Sequence, residues 1–215
     1  MSFLELLHTP GVEEVVELGS AFGLLAFHGG LEAGTVEVAV EATAASGASL
    51  YMVVQPPDLH WHVPSHRVDA ADSPALARFL EHVEVAIAVH GYGRRGRPVD
   101  VLVGGGNRAL GARLGRHLRA FLPGYRVIDD LDRVPPEMRG LHPGNPVNRP
   151  PGGGVQLELP PRIRGSWPAT PTSPARPPTP HPGIAAAIVA TIEDYSASAP
   201  TTTSTSTSNV PPARQ

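Results

Sequence analysis

Phe22-Gly23-Leu24-Leu25-Ala26-Phe27-His28-Gly29-Gly30-Leu31-Glu32 is the stretch that decides the fold. An unbroken apolar run ending in glycine suits a central strand of an α/β sheet, covered on both faces. Two further runs have the same character: Val85-Ala86-Ile87-Ala88-Val89 leads into His90, and Gly154-Val155-Gln156-Leu157 surrounds Glu158. In open α/β sheets, ligands bind in the crevice beyond the strand ends, where His28, Glu32, His90 and Glu158 would then project.

Outward from these runs, helices and strands alternate. Val15 to Leu18 and Phe22 to Phe27 flank Gly19-Ser20-Ala21, which predicts a hairpin and one antiparallel pair. Thr35 is the expected cap of a helix that carries Val36, Ala39, Val40 and Thr43 and stops at Gly47. Leu50 to Val54 reads as a strand. Ser73-Pro74 opens a short helix through Leu76, Phe79, Leu80 and Val83, and Val99 to Val103 is another strand, closed by Gly104-Gly105-Gly106. That glycine turn precedes a helix, but no lysine follows it and its spacing fits no nucleotide fingerprint, so it reads as a tight turn. Leu110, Leu114 and Leu118 define one face of that helix, and Tyr125 to Ile128 is a further strand. The pattern predicts a single α/β domain over residues 1–165, with a mixed central sheet flanked by helices.

Near residue 165 the composition changes. Pro168-Ala169-Thr170-Pro171-Thr172-Ser173-Pro174 and Thr201 to Ser208 cannot bury enough apolar surface to offset ordering entropy, so residues 166–215 read as a disordered Pro/Ser/Thr-rich tail. Ile184, Ile188 and Ile192 predict one isolated helix within it, over 183–195. The 215 residues contain no cysteine, which excludes disulfides and thiolate ligands, so any zinc site must use His, Asp or Glu. Lysine is also absent, and with abundant Ala, Gly and Pro this hints at a GC-rich bacterial genome. A net charge of -3 and a pI near 6.3 leave no electrostatic footprint for nucleic acid. Met1 to Leu7 lacks a basic n-region and no run reaches membrane-spanning length, so the expectation is a cytoplasmic protein with no membrane contact and no obligate protein partner.

Two imidazoles, a nearby carboxylate and a second carboxylate are the parts of a catalytic zinc site. For His28 the bland alternative is a structural histidine beside a turn. A second strand-terminal His-Gly, at His90-Gly91, weakens that alternative. In Val155-Gln156-Leu157-Glu158-Leu159, alternation places Gln156 and Glu158 on one face, so Glu158 is either a half-exposed sheet residue or a general base. A rival metal set lies in the His-rich loop, where His60, His62 and His66 approach Asp69.

The chain resembles the bacteriophage and bacterial poly-γ-glutamate hydrolase family, a zinc carboxypeptidase-like group, from residue 12 to about 165. The resemblance rests on His28-Gly29-Gly30-Leu31-Glu32-Ala33-Gly34-Thr35, Ser49-Leu50-Tyr51, His62-Val63-Pro64-Ser65, Val89-His90-Gly91, Val103-Gly104-Gly105, Asn145-Pro146-Val147-Asn148-Arg149 and Gly154 to Leu159, in the family's order. It implies a carboxypeptidase-like α/β fold, one zinc held by His28, Glu32 and His90, Glu158 as base, and hydrolysis of a γ-glutamyl or related peptide-like amide. The chain has one residue fewer than the family's usual pattern between His28 and Glu32. That difference supports an alternative, a catalytically silent module that binds carboxylates on the same fold. An anionic substrate calls for cations and amides, so Asn145, Asn148, Arg149, Arg162 and Arg164 are the expected substrate-binding residues, with an Arg also steadying the anionic intermediate.

Overall fold

The computed structural model describes residues 2–94, 96–166 and 178–198. Strands β1 (Glu13–Glu17), β2 (Phe22–Gly29), β3 (Ser49–Val54), β4 (Val85–Gly91), β5 (Asp100–Val103), β6 (Arg126–Ile128) and β7 (Gly154–Leu159) form one sheet. Their order across it is β1-β3-β2-β4-β7-β5-β6. The central strands β3, β2, β4 and β7 are mutually parallel, β1 runs antiparallel to β3, and β5 runs antiparallel to β7. The single-domain mixed sheet flanked by helices is therefore as the sequence predicts.

Every residue of β2 and β7 is buried, which is why their runs are so apolar. One sheet face, with Leu24, Ala26, Ile87, Val89, Val101, Val155 and Leu157, is covered by helices α2 (Thr35–Ser46), α4 (Arg108–Phe121) and α5 (Gly183–Ala197). The other, with Leu25, Phe27, Tyr51, Ala86 and Ala88, is covered by α1 (Phe3–Leu7), α3 (Pro74–His82) and loop residues such as Val63 and Val147. Helix α1 was not legible as a helix. It is one turn long and held by a capping box, in which Ser2 accepts from the Glu5 N–H and the Glu5 carboxylate accepts from the Ser2 N–H.

Three expectations are corrected. β1 and β2 do not form a hairpin: β1 lies on β3, and the connection passes the start of β3, where the Ser20 N–H donates to the Gly47 carbonyl at 2.8 Å. The reason is burial, since both edges of β2 are taken by the parallel strands β3 and β4, whereas β1, with its three glutamates, suits the sheet edge. Thr35 is the first helical residue rather than the cap; its hydroxyl donates to the Glu32 carbonyl at 2.8 Å.

The third correction concerns the tail. Helix α5 is not isolated: Ile184, Ile188 and Ile192 are buried in the main core against α4 and α2. Asp194 pairs with Arg113 and Arg116 on α4, and the His181 N–H returns to the Ile163 carbonyl at 2.8 Å. A largely apolar helix beside an uncovered sheet face gains more by docking than by staying in water. Residue 165 is therefore not a boundary in the packing. The expected disorder over 167–177 and 199–215 lies outside the described residues. Among them, no helix is long and apolar enough to cross a membrane.

Candidate metal centre and active-site cleft

The carboxyl ends of β2, β4 and β7 open into a cleft of about 460 Å³. His28 ends β2, His90 ends β4, and both rings are almost fully buried. Between β2 and α2 the chain makes a tight turn, in which the Glu32 N–H donates to the His28 carbonyl at 2.9 Å. Gly30 permits it. Its φ is +80°, and a Cβ there would lie 2.2 Å from the Gln55 carbonyl oxygen, so any larger residue would push the turn away.

The turn brings the Glu32 carboxylate onto both imidazoles. Oε1 lies 3.1 Å from His28 Nδ1, and Oε2 lies 3.5 Å from His90 Nδ1 and accepts from the Gly91 N–H at 2.8 Å. The two Nδ1 atoms are 3.2 Å apart. The shorter interval between His28 and Glu32 therefore does not take Glu32 away from the histidines. His28 Nε2 lies 2.8 Å from the Val63 carbonyl, which can only accept, so Nε2 carries a hydrogen and neutral His28 turns a lone pair on Nδ1 toward Glu32. Two acceptors at 3.1 Å need a cation or a proton between them.

Among the described residues, His28, Glu32 and His90 are the group whose donor atoms converge closely enough, within 4.8 Å, to hold a metal ion. Two imidazole nitrogens and one carboxylate suit a first-row divalent cation, and the lock on His28 Nε2 is the support such ligands need. The residues present fit a metal.

Electrostatics follow from this crowding. Burial works to raise the Glu32 pKa, but where protons, in place of a metal, bridge the carboxylate and the imidazoles, the charge and hydrogen bond of His28, then those of His90, outweigh it and hold the carboxyl far below its ordinary range. Burial works to lower the His90 pKa, and the Glu32 hydrogen bond and charge, with the Glu158 charge, reverse that and raise it. Glu158 is opposite His90 in the β4–β7 register, so the two side chains share a sheet face. Burial, helped by the Glu32 charge, pushes its carboxyl up, and His90 offsets only part of this. Glu158 Oε1 accepts from Gln156 Nε2 at 2.8 Å, and Gln156 Oε1 accepts from Asn145 Nδ2 at 2.7 Å.

Of the expected substrate residues, Asn145 lines the cleft, and its amide also braces Gln156. The others do not line it. Asn148 ties loops together, donating to the Gly140 and His142 carbonyls and accepting from the Gly106 N–H. Arg149 and Arg162 are exposed away from the cleft. Arg164 is buried behind it, with its guanidinium donating to the carbonyls of Leu159, Ala33 and Tyr92. Proximity in sequence to β7 does not specify which way a loop side chain points, and that is why these arginines misled. The rival metal set does not assemble either: His62 and His66 line the same cleft, His60 does not, and Asp69 accepts from the Ala71 N–H as a cap. Sequence reasoning missed Gln156, Glu137 and His142 on the cleft wall. Gln156 was recoverable from the alternation it shares with Glu158, whereas Glu137 and His142 come from a stretch with no periodicity.

Residues 5–173 match the family model described as poly-gamma-glutamate hydrolase. A bacteriophage poly-γ-glutamate hydrolase has a similar structure, with a TM-score of 0.70 at 27% identity, covering 90% of this chain and 95% of that one. The zinc-free apo form of YNDL superposes with a TM-score of 0.72 at 24% identity, covering 89% of this chain and 95% of its own. A putative carboxypeptidase from Burkholderia mallei aligns more loosely, at 11% identity and a TM-score of 0.48, over 88% of this chain and 64% of that one. No curated protein matches.

Proposed function

The chain belongs to the poly-γ-glutamate hydrolase family, and from that premise we propose that it hydrolyses γ-glutamyl amide bonds with a zinc ion held by His28, Glu32 and His90 and with Glu158 as general base. The observation that carries the reading is the convergence of His28 Nδ1, His90 Nδ1 and the Glu32 carboxylate at the floor of the cleft, with His28 locked by Val63. When bound, the ion supplies a Lewis acid and lowers the pKa of water.

The chain's own residues do the rest. Glu158 Oε1 is engaged by Gln156, so Oε2 is the atom free to take a proton from water and return it to the leaving amine. Burial favours the neutral carboxyl and so makes Glu158 a stronger base than an exposed carboxylate. Asn145 holds Gln156, and Gln156 holds Glu158, so the base has one orientation rather than several. The alternative of a silent carboxylate-binding module drew on the short His28–Glu32 interval, and it loses that support because Glu32 lies within 3.1 and 3.5 Å of the two imidazoles.

The test combines metal content with turnover. Protein purified without added metal should contain about one zinc per chain. His28→Ala and His90→Ala should lose it, and His66→Ala should keep it. The zinc-loaded parent should release amine from a γ-glutamyl oligomer. Retention of zinc by both His28→Ala and His90→Ala would overturn the metal assignment, and a zinc-loaded parent inert on every amide tried would restore the silent module.

A further inference from the structure

We propose a second, anion-binding site at the β5–β6 end of the sheet, where Arg97, Arg126 and Arg133 take the carboxylates of the polyanionic chain whose amide lies in the cleft. The proposal rests on the γ-glutamyl reading for its ligand, but the site itself stands on its own geometry. A concavity of about 440 Å³ is lined by Gly96, Arg97, Arg126, Ile128 and Arg133. At its base, Asp100 is fully buried and organises two of the three guanidiniums. Arg126 Nε and Nη2 donate to its two oxygens, each at 2.9 Å, and Arg97 Nη1 donates at 3.2 Å. Two guanidiniums on one carboxylate leave one positive charge in excess, and Arg133 on the pocket wall adds another guanidinium. Of the neighbouring acids, Asp129 pairs with Arg119 at 2.5 Å, and Asp130 accepts from the Asp132 N–H at 3.0 Å, so Asp130 and Asp132 keep their charges just ahead of Arg133 in the chain.

Sheet register puts this pocket in line with the cleft. His90 pairs with Glu158, Glu158 with Leu102, and Leu102 with Ile128, which makes one row of side chains on one face. Ile128 lines the pocket, and Asp100 with Arg126 sits two residues along the same strands, on the same face. Because β5 is antiparallel to β7, the amino end of β5 lies at the same edge of the sheet as the carboxyl end of β7. Three interstrand steps of about 4.8 Å separate the rows of His90 and Ile128, or roughly 14 Å. The connecting loop is anchored at both ends, since Gly91 donates to Glu32, and the Tyr92 hydroxyl is 3.0 Å from the Arg97 carbonyl and 2.6 Å from that of Asp100.

Two further facts favour a carboxylate polymer as the occupant. Among the described residues, no arginine lines the cleft, and Arg94 beside it is already paired with Glu137 on its wall, so carboxylates beyond the reacting unit meet further guanidiniums only outside it. The net charge of -3 also means that attraction of a polyanion has to be local. Bidentate guanidinium–carboxylate pairing supplies the chemistry.

The test measures binding apart from turnover, on the full-length protein. A fluorescein-labelled long γ-glutamyl oligomer and a labelled γ-glutamyl dimer are titrated by anisotropy against the parent arginine set and Arg97→Gln/Arg133→Gln, each also carrying Glu158→Gln so that the probe is not consumed. Arg126 is better changed to Lys, in a separate variant that keeps a charge on Asp100. Thermal transitions check that each variant is folded. The double variant should bind the oligomer about tenfold more weakly, with the loss shrinking at high salt, while dimer binding stays within about twofold. Equal losses for oligomer and dimer, or none for the oligomer, would overturn the proposal. So would a single-stranded oligonucleotide of matched charge that binds the parent as tightly and is weakened as much. A parent that binds the oligomer through these arginines but cleaves nothing would defeat the proposed function and leave this site standing. A parent that cleaves, with binding indifferent to the arginines, would defeat this site alone.

Discussion

His28, His90 and Glu158 were legible in the sequence because each ends or interrupts an apolar run whose burial fixes where the side chain emerges, and Glu32 because it follows His28 across a glycine turn. Asn148, Arg149, Arg162 and Arg164 were not, because nothing in a loop's composition specifies its direction. Exchanging Glu158 for Gln keeps the shape but removes the proposed proton acceptor. Turnover of γ-glutamyl substrates should fall about 10²- to 10⁴-fold with zinc content unchanged, as amine release and metal analysis of the same preparation would report. The pH dependence of the metal-free protein follows from the shifted groups. Glu32 is depressed, so its contribution is present above the ordinary carboxylate pKa and is lost as pH falls through its lower folded value. His90 is raised, so its contribution is full below its unfolded pKa and lost as pH rises through its folded one; Glu158, also raised, acts in the same direction. Metal-free protein should therefore melt lower at pH 9 than at pH 6. Zinc needs deprotonated ligands, so its addition should reverse that slope, and thermal scans at the two pH values with and without metal check the sign.

At the level of elements, periodicity showed β3, α3 and β7 to within a residue or two, and the buried face of α4. It could not show what each element packs against. The isoleucines of α5 and the apolar run of β2 were visible. That α5 covers the sheet, and that β1 sits on β3 instead of β2, depends on which surfaces remain open once the other elements are placed. Ile188→Ala should cost about 2 to 5 kcal/mol, because its side chain is fully buried between helices and sheet, and denaturant unfolding would measure the loss. An unchanged midpoint would mean that α5 is undocked in solution. The β2–α2 turn is equally specific. Gly30→Ala must accommodate both a positive φ and a Cβ 2.2 Å from the Gln55 oxygen, so it should cost about 1 to 3 kcal/mol and weaken zinc binding as Glu32 is displaced.

For the molecule as a whole, one sheet presents His28, Glu32, His90 and Glu158 at the carboxyl ends of its parallel strands and is covered on both faces by helices and loops. Binding there should stabilise the entire fold by linkage. At free zinc about 1,000 times its dissociation constant the gain is about 4 kcal/mol, seen as a rise in melting temperature that a chelator abolishes. The strand order gives the chain a history as well as a shape. β5 and β6 are made before β7, yet β7 lies between them and β4. Until the ribosome has released residues beyond 154, the β5–β6 pair has no neighbour on its β7 side, and His90 has no Glu158 opposite it. The last of these strands to be synthesised joins the two parts of the sheet and delivers Glu158 in the same event, so a nascent chain that already carries His28, Glu32 and His90 still lacks the residue proposed as base.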